Sequence, residues 1–202
     1  MENIVAELDI PEAKKLADLV SISQDLNFCI DCCERLVGLL ESDSKESTLI
    51  QSLWTSALIS YVRCFATGKR FGLSEDILLK FEGEPIEVHN YYKNLRDKNI
   101  AHSVNPFEQI KIGVVLSHPD SEKEVLGIAN LGMKHISGVA DDVRQLAQIA
   151  LTFLAEVAKL RKDAQDQTLI AAKKIPIADL YRQPRMQLVA PSGEQAGKAR
   201  QF

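Results

Sequence analysis

Apolar residues recur at steps of three and four along most of the chain, which is the period of an amphipathic helix. Pro11 opens the first such stretch, and Ser21 and Ser23 predict a break before a second helix. The second helix carries seven apolar residues on one face: Leu26, Cys29, Ile30, Cys33, Leu36, Val37 and Leu40. The same period predicts helices over 48–66, from Ser74 to about Gly83, from Pro85 to about Ala101, and from Val139 to Ala172.

One stretch instead has the period of two that is typical of a β-strand. Its apolar residues from Ile110 to Leu116 alternate with other residue types, and a turn-prone sequence at 118–121 leads into a second apolar run at 125–131. Residues 109–132 therefore predict a β-hairpin inserted between helices. The predicted fold is all-α, an up-and-down bundle of about four to five helices with this hairpin as an accessory.

Composition divides the chain into a helical domain over residues 1–181 and a tail over residues 182–202. The tail mixes Pro, Gly, Gln and basic residues without a period, which predicts disorder. The whole chain has 24 Lys+Arg against 28 Asp+Glu, a net charge of −4, although the tail itself is basic. An acidic helical domain argues against nonspecific binding to duplex DNA, which depends on many phosphate contacts.

No apolar run approaches the roughly 20 residues that span a bilayer, and the acidic N-terminus does not resemble a secretory signal. We therefore expect a cytoplasmic protein with no membrane partner. In that compartment Cys29, Cys32, Cys33 and Cys64 are expected to be free thiols. Because the Cys-x-x-Cys spacing lies within a helical apolar stripe and lacks further ligands, neither a metal site nor a cofactor is predicted.

The candidate chemistry lies near the end of the helix that Pro85 begins, where Arg96 precedes His102 by six positions. Asp97 follows the arginine directly, and the apolar pair Ile100-Ala101 precedes the histidine. The sequence Leu-Arg-Asp-Lys-Asn-Ile-Ala-His-Ser resembles the signature of the HEPN superfamily (higher eukaryotes and prokaryotes nucleotide-binding domain). In that signature an arginine, usually followed by a polar residue, precedes a histidine on a helix of an α-helical bundle.

The resemblance implies a metal-independent endoribonuclease, of the kind that serves as a toxin or a phage-defence effector. It also implies a homodimer in which the two motifs face each other, with RNA as substrate and an antitoxin or another protein as a candidate partner. In this reading His102 is the general base toward a ribose 2′-hydroxyl, Arg96 stabilises the charge on the phosphate, and Asp97 is the polar helper. The alternative is a noncatalytic HEPN-like scaffold that holds a protein or nucleotide partner.

The chemistry of the two side chains agrees with this interpretation. A neutral histidine can accept a proton near physiological pH, and an arginine can bind two phosphate oxygens without losing its charge. The RNA supplies its own nucleophile, because the 2′-hydroxyl lies next to the phosphate. On an ideal helix, however, six steps place Arg96 and His102 about 120° apart. A dimer could then supply Arg96 from one chain and His102 from the other, or a helix that frays before His102 could bring both to one phosphate.

Six further residues are candidate substrate-binding groups: Lys69, Arg70, Tyr92, Lys93, Lys98 and Asn99. The cations would bind phosphate, and a tyrosine ring could stack on a base. Alternatively, Lys69 and Arg70 belong to a solvated loop, and at least one of Tyr91 and Tyr92 belongs to the core. The motif residues themselves could be surface charges, with His102 interacting with the helix dipole. The long helix from Val139 could mediate dimerisation or pack on the bundle.

Overall fold

The computed structural model describes residues 3–66, 68, 70–102 and 106–198. Helices α1 (Pro11–Glu41) and α2 (Ser47–Arg63) come first, followed by a short 3₁₀-helix (Glu75–Lys80). Helix α3 (Pro85–Asn94) continues directly into a π-helix (Leu95–Ile100). Strands β1 (Glu108–Leu116) and β2 (Val125–Lys134) precede helices α4 (Ala140–Ala172) and α5 (Ile177–Leu180) and a 3₁₀ turn (Gly193–Gln195).

The protein is mostly helical, at 58%, and also contains a two-stranded antiparallel sheet. The predicted all-α class is therefore too strict, because the alternating residues around Ile112 form true strands. These elements are compatible with a helical bundle that carries an inserted hairpin. The predicted hairpin over 109–132 is confirmed, and its strands extend it to Glu108 and Lys134.

The break predicted at Ser21 and Ser23 is wrong, because α1 is continuous from Pro11 to Glu41. The Ser23 hydroxyl donates a hydrogen bond to the carbonyl oxygen of Leu19, one turn earlier, at 3.0 Å. A serine bonded in this way is satisfied inside a helix and does not act as a cap. Ser23 is also buried, so its environment favours the helical bond over a hydrogen bond to water.

Contacts divide the chain into two compact units, and the first comprises Met1–Gln24, Thr67–Phe71 and Leu154–Phe202. In this unit the Glu7 N–H donates to the Pro184 carbonyl oxygen at 2.9 Å, and the Met186 N–H donates to the Val5 carbonyl oxygen at 3.0 Å. Part of the segment after residue 181 is therefore paired with the start of the chain. The predicted domain boundary at 181/182, and disorder beyond it, stay predictions.

The second unit comprises Asp25–Ala66 and Gly72–Phe153, and it has an aromatic core around Tyr61. The Tyr61 ring makes edge-to-face contacts with Phe65, Tyr92 and Phe153, at centroid distances of 5.3, 6.3 and 6.2 Å. Such pairs contribute about 0.5–1.5 kcal/mol beyond the area they bury. Because Tyr92 is part of α3, this core fixes the helix that leads into the Arg96–His102 segment.

The hairpin exposes most of its apolar side chains. Its register runs from Glu108 opposite Lys134 to Leu116 opposite Val125, and residues opposite each other point to the same face. One face holds six apolar side chains that are each 58% to 70% exposed, and we name it the apolar hairpin face: Ile110, Ile112, Val114, Leu116, Val125 and Ile128. A lone two-stranded hairpin is marginally stable in water, and an exposed apolar patch of this kind marks an interaction surface.

Candidate functional site

The segment that holds the predicted motif is a π-helix. Pro85 occupies the first turn of α3, where a backbone N–H would have no partner within the helix. The α-helix changes to a π-helix at Leu95. The Ala101 N–H donates to the carbonyl oxygen of Arg96 at 2.9 Å, five residues back rather than four. π-helical turns are rare and are frequently found at functional sites. The predicted extent of this helix is right, but its hydrogen bonding near the motif is not that of an α-helix.

The π-helix changes the expected relation between Arg96 and His102. The estimate of 120° assumes an α-helix that reaches His102, whereas the helix ends with Ala101 as its cap. His102 follows this end and is exposed to solvent. Within the described part of the chain, no hydrogen bond or ion pair joins Arg96 to His102. His102 is thus open to a bound ligand, whereas Arg96 is partly exposed and pairs with Asp97.

Asp97 directly contacts the arginine that precedes it. The Nη1 atom of Arg96 lies 2.8 Å from Oδ1 of Asp97, and the two side chains are 31% and 39% exposed. A partly exposed pair of this kind adds little stability, but it restricts the rotamers of the guanidinium group. This contact agrees with the role of polar helper that the resemblance implies for Asp97.

The other predicted substrate-binding residues differ in their contacts, their exposure and the compact unit to which they belong. Nζ of Lys93 is bound to Oε1 of Glu75 at 2.8 Å, whereas Lys98 is exposed and Asn99 is half-buried. Arg70 belongs to the first unit, while the motif belongs to the second. Lys69 lies outside the described residues. Of these candidates, Lys93, Lys98 and Asn99 belong to the same helical segment as the motif.

Tyr92 is not a base-stacking residue in this structure, because its ring is fully buried. Its hydroxyl group donates to the backbone carbonyl oxygen of Asp142 at 2.7 Å and lies 3.0 Å from Oε1 of Gln145. Burial raises the pKa of Tyr92, so the hydroxyl stays protonated and keeps its role as donor. The neighbouring Tyr91 is 40% exposed and is the tyrosine that can reach a ligand.

Sequence reasoning missed a buried polar network around His89. Nδ1 of His89 lies 2.9 Å from the hydroxyl oxygen of Tyr61, and Nε2 lies 3.4 Å from Oε1 of Glu75. The geometry fits a neutral imidazole that accepts a hydrogen bond from Tyr61 and presents its N–H toward Glu75. The helical spacing could have indicated that His89 is buried, because it precedes the buried Tyr92 by three positions and so shares its face of the helix. The network joins α2, the 3₁₀-helix and α3.

We expect His89 to make stability depend on pH. Burial lowers the pKa of His89 below its usual range, and Glu75 opposes this shift only in part. As pH falls through about 6.5, the unfolded chain takes up a proton that the folded protein excludes. The free energy of unfolding therefore decreases toward acid, by at most about 1.4 kcal/mol per pH unit for one proton.

Denaturant unfolding of wild type and His89→Gln at several pH values between 7.5 and 5.5 measures this effect. The glutamine variant is expected to lose most of the slope, because its amide does not titrate. His118→Gln is the matched control for replacing an imidazole at an exposed position. An equal slope of unfolding free energy against pH in wild type and His89→Gln would contradict the assignment of this pH dependence to His89. Titration of Glu75, whose pKa the hydrogen bond from Lys93 lowers, affects stability only at more acidic pH.

The cysteines do not form a second reactive site. All four are free and buried. A hydrogen bond with Cys33, and then burial, raise the pKa of Cys29, so this thiol stays protonated and is a poor nucleophile near neutral pH. Among the described residues, no group of three or more His, Cys, Asp or Glu side chains could hold a metal ion.

Comparisons with protein-family models, curated proteins and solved structures find no match to this chain. In the described ranges, no helix combines the length and the apolar character needed to cross a membrane. The case for a function therefore depends on the residues and geometry of the Arg96–His102 segment itself.

Proposed function

We propose that this protein is a HEPN-like, metal-independent endoribonuclease that uses Arg96 and His102. The observation that carries the proposal is the π-helix at Leu95–Ile100, which holds the Arg96–Asp97 pair and ends just before the exposed His102. An unusual helical turn at the residues of a nuclease-like motif favours a functional site over a set of ordinary surface charges.

In the proposed reaction, the neutral imidazole of His102 takes the proton of a ribose 2′-hydroxyl. The 2′-oxygen bonds to phosphorus, and the bond between phosphorus and the 5′-oxygen breaks. The departing 5′-oxygen takes a proton from water, and the imidazolium of His102 gives its proton to the hydroxide that forms, so the base is regenerated. One product ends in a 2′,3′-cyclic phosphate and the other in a 5′-hydroxyl. Arg96 donates two hydrogen bonds to the phosphate oxygens as negative charge builds up there, and Asp97 orients its guanidinium group.

A homodimer is part of the proposal, because no hydrogen bond or ion pair joins Arg96 to His102 in the described residues and a partner copy could complete each site. The apolar hairpin face supports dimer formation, since a second copy would cover it. The proposed fold is an up-and-down bundle of about four to five helices, and the proposed location is the cytoplasm, where RNA is available. The biological role suggested by the resemblance is that of a toxin or phage-defence effector, with an antitoxin as a candidate partner.

The test is incubation of the purified full-length protein with a mixed RNA substrate in the presence of EDTA. We expect cleavage that persists under chelation and leaves 2′,3′-cyclic phosphate ends, which accept a 3′-end label only after the cyclic phosphate has been opened and the phosphate removed. Cleavage that stops with EDTA would contradict the metal-independent mechanism. Cleavage that leaves 3′-hydroxyl ends would contradict attack by the 2′-oxygen.

The second candidate is a noncatalytic HEPN-like scaffold that binds a protein or nucleotide partner. The specific observation in its favour is the ion pair of Arg96 with Asp97, which occupies part of the guanidinium group that a phosphate would need. A folded wild-type protein that leaves RNA intact would support this second function over the first.

A further inference from the structure

A small apolar cavity lies beside the π-helix in the second unit. It has a volume of about 180 Å³ and is lined by Tyr91, Asn94, Leu95, Lys98 and Phe107. The first four residues belong to the continuous α3 and π-helix segment and line one side of the cavity. Pockets that bury drug-sized ligands measure about 300–1,000 Å³, and this smaller cavity suits a single flat ring system.

Two partly exposed aromatic rings line this one cavity. Tyr91 is 40% exposed and Phe107 is 38% exposed, whereas the core tyrosines Tyr61 and Tyr92 are fully buried. Phe107 is held at the base of the hairpin by His135, whose ring centroid lies 5.0 Å from that of Phe107. The backbone N–H of His135 also donates a hydrogen bond to the backbone carbonyl oxygen of Phe107 at 2.8 Å. The Phe107 ring therefore has a fixed place in the cavity wall.

The lining of the cavity is almost entirely apolar, which suits the flat face of a base. Lys98 is an exposed cation that belongs to the motif segment between Arg96 and His102. Aromatic rings that stack on bases, together with cations that bind the backbone, are the usual means of holding single-stranded nucleic acid.

We infer that this cavity binds one nucleobase of a single-stranded RNA, next to the phosphate that Arg96 contacts. The base contacts the rings of Tyr91 and Phe107, and Lys98, an exposed cation of the same helical segment, binds a neighbouring phosphate. The naming of RNA as ligand rests on the proposed function. The binding itself does not require cleavage, so the two can be tested separately.

The test uses Phe107→Trp in the His102→Ala background, which places a reporter ring in the cavity and prevents turnover. The native Trp54 is buried, so the signal change comes from the new residue. A short single-stranded RNA is expected to quench the new fluorescence in a saturable way, while an abasic oligomer of equal length is not. Equal quenching by the two oligomers overturns the inference.

Affinity measured by fluorescence anisotropy, again in the His102→Ala background, gives the second readout. Tyr91→Ala and Phe107→Ala are each expected to weaken binding of the base-containing RNA by about 5- to 100-fold and to leave binding of the abasic oligomer unchanged. Tyr91→Phe keeps the ring and should bind as tightly as its parent protein. The matched controls are Phe28→Ala and Tyr181→Ala, two exposed aromatic residues that do not line this cavity.

The outcomes separate the two proposals. Base-dependent binding without cleavage by wild type supports the cavity and rejects the ribonuclease. Cleavage whose kcat/KM is unchanged by Tyr91→Ala and Phe107→Ala supports the ribonuclease and overturns the cavity inference. Loss of affinity in the control variants as well would show a general effect of exposed rings and would also overturn the inference.

Discussion

Replacing His102 with alanine is expected to lower the rate of RNA cleavage by about 10²–10⁴-fold, the usual contribution of a positioned general base. The imidazole is exposed beyond the end of the π-helix, so the fold should be unaffected.

Arg96→Ala is expected to lower the rate of RNA cleavage by at least about 10²-fold, because it removes the donors that stabilise the phosphate charge. Arg96→Lys keeps the charge but not the two parallel donors, and should retain part of the activity.

Single-turnover cleavage of a labelled RNA measures these losses directly. His118→Ala is the matched control for the histidine, since His118 is exposed in the hairpin turn, and Arg182→Ala is the control for the arginine. Both controls should cleave at the wild-type rate. If the His102 and Arg96 variants also retain wild-type activity, the assigned site is wrong, even if the protein proves to be a ribonuclease.

Mixing two inactive variants shows whether each site uses both chains. Arg96→Ala and His102→Ala are mixed in equal amounts and allowed to exchange subunits. If each site takes Arg96 from one chain and His102 from the other, a mixed dimer contains one intact site, and the mixture should recover about a quarter of wild-type activity. No recovery, after exchange has been verified, would place each pair of side chains within one chain.

The sequence predicted those features that depend on local periodicity. The alternation around Ile112 specified the hairpin, and Pro85 marked the first turn of the helix that carries the motif. The predicted break at Ser23 failed because a serine can satisfy its hydroxyl group on the preceding helical turn, which local sequence does not reveal. Local pattern thus specified the elements better than their boundaries.

Other features of the candidate site could not be predicted because they depend on tertiary contacts. The network around His89 joins it to Tyr61, a residue 28 positions earlier, and no spacing rule brings that pair together. Whether Tyr91 or Tyr92 faces the core depends on the packing of Tyr92 against α2 and α4. The π-helix likewise depends on a shift of backbone hydrogen bonds, such as the one from Ala101 to Arg96, and residue propensities do not distinguish it from an α-helix.

Two lysines placed on the apolar hairpin face are expected to disrupt the proposed dimer. The six side chains of this face are mostly exposed, and each corresponds to about 60–120 Å² of apolar area. Two copies packed face to face would then bury roughly 500–900 Å² from these side chains, and neighbouring residues of the hairpin would bring the total past about 1,000 Å², the area that a biological interface needs. In the double variant Ile112→Lys/Ile128→Lys, each chain would bury two ammonium groups in the interface. These charges would repel the same charges of the second copy across the two-fold axis.

Sedimentation equilibrium over a range of protein concentrations measures the change, with an expected weakening of dimerisation of at least about 100-fold. The matched control is Ile170→Lys combined with Ile177→Lys, which alters two exposed isoleucines of the first unit and should leave the dimer intact. A wild-type protein that remains monomeric, or a double-lysine hairpin variant that remains dimeric, would contradict the assignment of this surface. If the hairpin variant becomes a folded monomer and also loses cleavage, the catalytic residues act only when two copies meet, and the hairpin is then part of what assembles the site.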